Sequence, residues 1–246
     1  MERRRLDQLL VERGLAESRS RARALIEAGK VLADHRPADK PSLVLPEDAA
    51  LEITGLDHPW VSRGGLKLAS ALDHFGIDPS GLVGLDIGAS TGGFTEVLLS
   101  RGAARVYAVD AGHGQLASKL RADRRIVSLE KQNARTLTRA EIPEPVGIVT
   151  CDASFIGLET ILPAPLALAA PGAVLVALIK PQFEAGPGRV GKGGIVRDAG
   201  LQQEICVRIA AWLGGQPGWQ VLGLTDSPIE GGDGNREFLV AGRYTP

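Results

Sequence analysis

Hydrophobic and polar positions follow two periodicities along the chain, and from residue 82 onward they predict alternating strands and helices. Short apolar runs typical of buried parallel strands occur at 82–87, 105–110, 125–130, 146–151, 173–179, 219–225 and 237–242. Apolar residues at helical spacing predict helices near 94–101, 114–121, 157–169 and 198–213. Strands separated by helices form parallel pairs, whereas the last two lie close together in the chain and are expected to pair antiparallel. The predicted fold class is α/β, a Rossmann-like sheet of seven strands.

The first 58 residues show a different pattern, with two short helices followed by short strands. Apolar residues recur at helical spacing from Leu6 to Leu10, and Gly14 is expected to end this helix. A second helix, ended by Gly29, carries apolar residues on one face and arginines on the other. Brief apolar runs predict strands at 31–32, 43–45 and 51–53. The chain is therefore expected to divide into a small α+β domain at 1–58, a linker at 59–64 and a larger domain at 65–246.

The segment at 85–96, LDIGASTGGFTE, passes from an apolar strand through a glycine-rich turn into a helix. Such a turn brings backbone N–H groups close to a ligand and directs a helix N-terminus at it. The spacing is G-x-x-x-G-G, which differs from the G-x-G-x-x-G pattern of dinucleotide sites. Asp110 ends the next strand about twenty residues later, where a carboxylate can accept hydrogen bonds from ribose hydroxyls. Turn and acid together resemble the S-adenosylmethionine site of Rossmann-like methyltransferases.

Further polar residues follow the other strands, at the sheet edge where open α/β folds bind ligands. Asn133 follows the third strand, and its amide is expected to reach an adenine edge. The candidate cofactor-binding residues are Asp86, Gly88, Ser90, Gly92, Gly93, Phe94, Asp110, Asn133 and Asp152. Asp152 ends the fourth strand, Lys180 ends the fifth, and Glu237 begins the antiparallel seventh. Any one of these charges could be a solvated strand end, but three at one edge indicate a catalytic site.

The chemistry of this edge favours an oxygen nucleophile over a base amine. Enzymes that methylate exocyclic base amines place (D/N)-P-P-(Y/F) after the fourth strand, whereas residues 152–155 read DASF and lack both prolines. A ribose hydroxyl is a weak nucleophile and needs a base, and lysine is the residue whose pKa burial and a neighbouring cation can lower. Lys67, on the first helix of the larger domain, is expected beside Lys180, with Asp152 and Glu237 orienting both ammonium groups.

Charge is distributed unevenly, although the net charge of the whole chain is only −1. Residues 1–40 contain ten lysines and arginines against seven acids, whereas the remainder has 18 against 22. A basic arm on an acidic body predicts a polyanionic partner bound by the arm. The two cysteines, Cys151 and Cys206, are too few for a disulfide framework or a zinc site, so no metal is expected. Charged residues follow Met1 directly, which predicts a cytoplasmic protein without a signal peptide.

The charge-free stretch at 161–179 is almost long enough for a membrane span, but prolines interrupt it at 163, 165 and 171. The pattern favours a helix, a turn and a buried strand, and no membrane insertion is expected. The segment at 184–196, EAGPGRVGKGGIV, contains five glycines in thirteen residues. It is predicted to be either a plain connection or a mobile flap that orders over RNA, with Arg189 and Lys192 adding positive charge.

The pattern R-L-D-x-x-L-x-x-x-G-L-x-x-S-R-S-x-A-x-x-L-I-x-x-G-x-V, from Arg5 to Val31, resembles the RNA-binding domain named after ribosomal protein S4. In that family an arginine-rich face lies on RNA phosphates and recognises shape more than sequence. With the flap included, the resemblance implies RNA contacts by Arg4, Arg5, Arg19, Arg21, Arg23, Lys30, Arg189 and Lys192.

Lys67, Asp152, Lys180 and Glu237 resemble the K-D-K-E tetrad of FtsJ-type RNA 2′-O-methyltransferases. The whole chain, an S4-type domain followed by this catalytic domain, is similar to the hemolysin A (TlyA) family of ribosomal RNA methyltransferases. The resemblance implies methyl transfer from S-adenosylmethionine to cytidine 2′-hydroxyls of ribosomal RNA. It makes Lys180 the base, has Lys67 and Asp152 align the nucleophile and the sulfonium, and has Glu237 support the lysines.

Two other functions remain open from the sequence. The family name refers to membrane lysis, which predicts leakage of liposomes by the purified protein. Alternatively, the chain is a non-catalytic RNA-binding assembly factor that binds the cofactor only as a sensor. Incorporation of methyl groups into RNA separates the enzyme from that factor.

Overall fold

A computed structural model of the chain describes residues 3–16, 19–54, 58–186, 188–231 and 234–246. The first part contains β1 (Arg3–Arg5), α1 (Leu6–Glu12), α2 (Arg19–Glu27), β2 (Val31–Ala33), β3 (Arg36–Pro37), β4 (Val44–Pro46) and β5 (Leu51–Ile53). β1 pairs antiparallel with β4, and β2 lies between β3 and β5. Both predicted helices are present. β1 and β3 were not predicted, because three consecutive arginines and an Arg-Pro pair carry no apolar pattern.

The small core of this part explains why its two helices form. Leu6 and Leu10 of α1 pack with Ala22 and Ile26 of α2, and all four are fully buried with Val31 of β2. Full burial of one such aliphatic side chain contributes roughly 1.5–3 kcal/mol, which short helices need because they are marginal in isolation. The remaining face of α2 is left to its polar residues.

The larger part alternates strands and helices as the hydrophobic pattern predicts. Its helices are α3 (Gly64–Phe75), α4 (Gly93–Ser100), α5 (Ser118–Arg121), α6 (Leu158–Ile161), α7 (Pro163–Leu166), α8 (Pro181–Glu184) and α9 (Ala199–Gly214). Its strands are β6 (Val83–Ile87), β7 (Arg105–Val109), β8 (Ile126–Leu129), β9 (Val146–Cys151), β10 (Ala169–Ile179), β11 (Trp219–Asp226) and β12 (Phe238–Tyr244). The helix predicted at 157–169 is instead two short helices, because Pro163 cannot continue the first and begins the second.

Seven strands of the described residues form one sheet in the order β11-β12-β10-β9-β6-β7-β8. Pairing is parallel from β10 through β8, whereas β12 runs antiparallel to β10 and β11. This confirms the predicted α/β Rossmann-like fold, including its antiparallel last pair. β10 begins four residues earlier than predicted, with a register irregularity between Ala169 and Val174.

The sheet is covered on both faces, so its central strands are apolar throughout. Along β10, Leu175 and Ala177 pack in the cluster that contains α6 and α9, whereas Val176 and Leu178 pack in the cluster of α3 and α4. Cys151 is fully buried in the first cluster, and burial raises the pKa of its thiol to about 12.

Strand register brings the polar strand ends together. Ile87 of β6 pairs with Cys151 of β9, so the residues that follow both strands meet at one edge. Ile179 of β10 pairs with Phe238 of β12, which places Lys180 across from the residue before Phe238. All the charged strand ends predicted as catalytic therefore lie on the same edge of the sheet.

Candidate active site

Three positions of the glycine-rich turn between β6 and α4 have no room for a side chain. Gly88 has φ +78°, and a Cβ there would lie 3.0 Å from backbone atoms of Ala153. Gly92 has φ +98°, and its Cβ would lie 2.3 Å from a methyl group of Leu120. A Cβ on Gly93, the first residue of α4, would lie 2.3 Å from the Ser62 hydroxyl. The turn is thus packed against three neighbouring segments, and its conformation is fixed.

A cavity of about 240 Å³ opens beside this turn. It is bounded by the turn, the start of α3, the ends of β9 and β10 and the loop before β12. The lining residues are Ser62, Arg63, Gly64, Lys67, Gly88, Ala89, Ser90, Thr91, Gly93, Phe94, Asp152, Ser154, Lys180, Ile229 and Glu230. Three of the four predicted catalytic residues therefore face one cavity with most of the predicted cofactor-binding turn.

The four catalytic candidates form two separate ion pairs. Lys67 Nζ donates to Glu237 Oε2 over 2.6 Å, and Lys180 Nζ lies 2.6 Å from Asp152 Oδ1. Both lysines are only 8% exposed, and Glu237 is 3% exposed. Charges so far removed from water require a partner of opposite sign, and each carboxylate supplies one. The sequence predicted that both carboxylates orient both lysines, whereas the structure assigns one carboxylate to each lysine.

Lys180 has two further oxygen neighbours that the sequence did not identify as functional. Its ammonium donates to the Ser154 hydroxyl over 2.9 Å and to the backbone carbonyl of Asp152 over 3.3 Å. Ser154 is exposed and lines the cavity. The only sequence signal for it was its place two residues after Asp152, at a strand end.

Asp110 lies directly beside the glycine turn. Its carboxylate accepts hydrogen bonds from the backbone N–H of Ser90 over 2.7 Å and of Gly112 over 2.6 Å. Gln115 shares a small adjoining cavity with Asp110, and the Ser90 hydroxyl lies 3.0 Å from its side-chain oxygen. Both cavities are lined by Ser90, so they meet at the turn. Sequence reasoning missed Gln115, which follows the strand end by five residues without a recognisable motif.

Two predicted cofactor-binding residues lie away from both cavities. Asp86 is fully buried behind the turn, where it accepts hydrogen bonds from Thr95 over 2.6 Å and Thr150 over 2.9 Å. Burial raises the pKa of this carboxyl to about 6, and the side chain braces the turn rather than facing either cavity. Asn133 is exposed, and its oxygen accepts from the backbone and side chain of Arg135 at a 3₁₀ turn. It lines neither cavity.

The predicted RNA-binding arginines are partly engaged within the protein. Arg5 and Arg19 both contact the buried carboxylate of Asp7, and the hydrogen bond from Arg5 is the main reason that the pKa of Asp7 is lowered. Arg4 pairs with Glu12 and Glu47, and Arg189 forms a two-pronged pair with Glu204 on α9. Arg23 and Lys192 are exposed and Lys30 is partly exposed, whereas the side chain of Arg21 lies outside the described residues.

An aromatic pair lies close to the lysine of the β10 end. Phe155 is 90% exposed, and its backbone adopts a left-handed φ of +64°. Its ring packs at a tilt on Phe183, with 4.9 Å between centroids, and the Phe183 centroid lies 6.0 Å from Lys180 Nζ. A phenyl ring this exposed, held by a strained backbone, indicates a contact surface for a ligand.

Within the described ranges, no cluster of three or more histidines, cysteines, aspartates or glutamates is arranged to hold a metal ion. A search of the same residues also finds no helix with the length and apolarity that a membrane span requires.

Comparison with known proteins matches both parts of the chain. Residues 60–244 match the FtsJ-like methyltransferase family, and residues 4–50 match the S4 domain. The 16S/23S rRNA (cytidine-2′-O)-methyltransferase TlyA of Mycobacterium tuberculosis is 48% identical, with 96% of this chain and 88% of the relative covered. Hemolysin A of Brachyspira hyodysenteriae is 39% identical, with 96% and 98% covered.

A solved structure supports the same relationship. That of a candidate hemolysin from Streptococcus thermophilus superposes with a TM-score of 0.79 at 41% identity, covering 100% of this chain and 90% of the other. Family match, sequence identity over nearly the full length and shared fold agree with the resemblance predicted from the tetrad. The chain belongs to the TlyA family of FtsJ-like methyltransferases.

Proposed function

We propose that this protein transfers a methyl group from S-adenosylmethionine to the 2′-hydroxyl of a cytidine in ribosomal RNA. The observation that carries the proposal is the pair of buried ion pairs, Lys67 with Glu237 and Lys180 with Asp152, at the edge of a cavity beside the glycine turn. The M. tuberculosis relative carries this activity in its name. Because the substrate named for that relative is ribosomal RNA, we infer that this chain acts in the cytoplasm.

The residues beside the turn fit S-adenosylmethionine. Gly88 and Gly93 line the cavity, and Asp110 has carboxylate lone pairs available beside those that bind Ser90 and Gly112. We assign the turn and Asp110 to the cofactor, with Gln115 beside them. The bound cofactor supplies a methyl group activated by a positively charged sulfur. Asp110→Ala removes a charge-assisted hydrogen bond and is expected to weaken cofactor binding by roughly 1.5–3 kcal/mol.

The lysines supply the proton chemistry of the transfer. A neutral Lys180 accepts the proton of the ribose hydroxyl as its oxygen attacks, and Asp152 holds the amine in place from 2.6 Å. Lys67, fixed by Glu237, lines the same cavity from the start of α3 and aligns the hydroxyl. Burial of both pairs excludes water and strengthens these interactions.

We assign RNA binding to residues 1–58 and to the rim of the cavity, with methyl transfer assigned to residues 65–246 and residues 59–64 as the linker. Phe155 offers an exposed ring on which an unstacked base can lie, a contact worth about 1–3 kcal/mol in single-stranded RNA binding. Arg19 and Arg23, both exposed on α2, contribute phosphate contacts.

The test is transfer of labelled methyl from S-adenosylmethionine to each purified ribosomal subunit, followed by mapping of the modified nucleotide. We expect label on a cytidine ribose in at least one subunit. Lys180→Ala protein from the same preparation controls for contaminating enzymes and is expected to transfer none. Absence of label from both subunits, with cofactor binding intact, contradicts the proposed function.

A further inference from the structure

The three oxygens around the ammonium of Lys180 are not equivalent once the lysine acts as a base. Asp152 Oδ1 lies at 2.6 Å, the Ser154 hydroxyl at 2.9 Å and the Asp152 carbonyl at 3.3 Å. A neutral amine keeps only two N–H donors and presents one lone pair. Of the three oxygens, the Ser154 hydroxyl and the Asp152 carbonyl accept hydrogen bonds, and Asp152 Oδ1 is an ion-pair partner. The lone pair that appears when the lysine loses its proton therefore faces surroundings that only accept, unless one neighbour turns to donate.

Ser154 is the one neighbour able to reverse its hydrogen bond. A carboxylate and a carbonyl can only accept, whereas a hydroxyl can donate its own proton to the amine lone pair. The separation of 2.9 Å suits a hydrogen bond in either direction. Both residues line the cavity, but Ser154 is exposed there whereas Lys180 is only 8% exposed.

The backbone around Ser154 holds its hydroxyl at this position. The next residue, Phe155, adopts a φ of +64°, which costs an ordinary residue energy and persists only where the surroundings enforce it. Packing of Phe155 on Phe183, three residues after Lys180, ties the turn to the segment that carries the lysine. The turn and the amine are thus linked at two points.

We propose that the Ser154 hydroxyl relays the proton from the ribose to Lys180, an inference that rests on the proposed function. The 2′-oxygen forms a bond to the methyl carbon while the bond from that carbon to sulfur breaks, and the sulfonium becomes a neutral thioether. The ribose proton passes to Ser154 Oγ as the proton of that oxygen passes to Lys180 Nζ. The serine is unchanged afterwards, and the lysine ends as an ammonium surrounded by its three oxygens.

Single-turnover methyl transfer to ribosomal subunits across a pH series tests the relay. Ser154→Ala is expected to lower the plateau rate by about 100-fold, the contribution typical of general acid–base catalysis, with cofactor and RNA affinity unchanged. Ser154→Thr, which keeps a hydroxyl at the same place, is expected to recover most of that loss. Ser100→Ala, at the far end of α4, is the matched control and is expected to keep the wild-type rate.

Isotope measurements distinguish a relay from a structural role. Both protons move in the methyl-transfer step. A plot of the wild-type rate against the deuterium fraction of the solvent is therefore expected to be curved, whereas a single moving proton would give a straight line. An undiminished plateau rate in Ser154→Ala overturns the relay. This holds even if the rising part of the pH–rate profile is shifted. Failure of the wild type to methylate either subunit is a separate result, which overturns the proposed function itself.

Discussion

At the scale of single residues, this site separates two lysines that look alike in the sequence. Lys67 is held by one carboxylate across 2.6 Å, whereas Lys180 has a carboxylate, a hydroxyl and a carbonyl around it. Of the two lysines, Lys180 has beside it a group, the Ser154 hydroxyl, that can donate a hydrogen bond to the amine after it loses its proton. This asymmetry supports the proposed base role of Lys180, with Lys67 as a fixed positive charge.

Replacement of Lys180 by arginine tests that assignment. Arginine keeps the positive charge but does not release a proton near neutral pH, so Lys180→Arg is expected to be as inactive as Lys180→Ala. Cofactor affinity, measured by calorimetry, is expected to stay close to that of the wild type. The wild-type rate is the reference for both variants and should exceed theirs at every pH tested. Substantial methyl transfer by the arginine variant would mean that Lys180 only anchors charge.

A second residue-scale prediction concerns the buried Asp86, whose carboxyl has a pKa raised to about 6 by burial. The folded state therefore binds this proton more tightly than the unfolded state. The free energy of unfolding should fall by about 3 kcal/mol as pH rises from about 4 to about 6. Asp86→Asn keeps the shape and removes the titration, so urea unfolding of this variant should lose that pH-dependent component. Identical pH profiles for both proteins would contradict the assignment.

These residues also show what sequence can and cannot predict. The meeting of Asp152, Lys180 and Glu237 was predictable because strand ends at one sheet edge must meet, whatever the details of packing. The spacing of Asp86 matches a ligand contact, but sequence did not predict its hydrogen-bond partners, Thr95 of α4 and Thr150 of β9. Ser154 was missed because a serine after a strand carries no signal until the position of Lys180 is known.

At the scale of elements, the glycine turn is defined by what packs around it. Gly92 is enclosed by the side chains of Leu116 and Leu120 in the segment after β7. Gly88 lies against the backbone after β9. A strand-turn-helix motif was evident from the sequence, but the residues that fix the turn come from segments that lie far from it along the chain.

Gly92→Val is expected to weaken cofactor binding through this packing. The new side chain would clash with Leu120, and a β-branched residue at φ +98° adds backbone strain of about 1–3 kcal/mol. Gly76→Val is the matched control, since Gly76 has φ +62° at the end of α3 with open space around it. Calorimetry should show weaker S-adenosylmethionine binding for the first variant alone. Equal affinity in both would refute the cofactor site.

The glycine-rich segment at 184–196 is anchored at its end in the structure. Asn235 donates to the carbonyl of Gly194 over 3.0 Å and accepts from the N–H of Val196 over 3.0 Å. Composition alone could not reveal this anchor, because Asn235 lies about forty residues later. The anchor also lies two residues before Glu237, the partner of Lys67.

We expect RNA to slow hydrogen exchange in the flap at 188–194, with little change at Val196, which is already bound by Asn235. Exchange measured with and without ribosomal subunits tests this. Asn235→Ala should raise exchange at residue 196 in the free protein, which controls for the anchor. Equally fast exchange in the flap in both states would leave it a plain connection.

At the scale of the whole molecule, a basic arm is joined to a catalytic body that is acidic overall. The fold of both parts and their order along the chain were predictable, because periodicity and turn residues determine them locally. The number of arginines that remain available to bind RNA was not predictable from the sequence. The sequence displays an arginine face, but the structure uses Arg5 and Arg19 to neutralise the buried Asp7.

The last prediction separates holding RNA from modifying it. Joint replacement of Arg19, Arg21 and Arg23 by alanine should weaken RNA binding. It should also make the salt dependence shallower, by about 0.7–0.9 in slope for each phosphate that the protein no longer neutralises. Cofactor affinity should survive, because the cofactor site lies in the other part of the chain. Arg19→Ala alone measures any decrease in folding stability that arises at Asp7, which Arg5 still neutralises.

Arg243→Ala is the matched control for this experiment, since Arg243 is exposed at the opposite edge of the sheet. Its removal changes the net charge but should leave RNA affinity and the salt slope unchanged. An unchanged salt slope in the triple variant, with the fold intact, would make the arginine face an ordinary solvated helix surface. RNA would then be held chiefly by the catalytic body, and the rim beside Phe155 would become the place to look for its contacts.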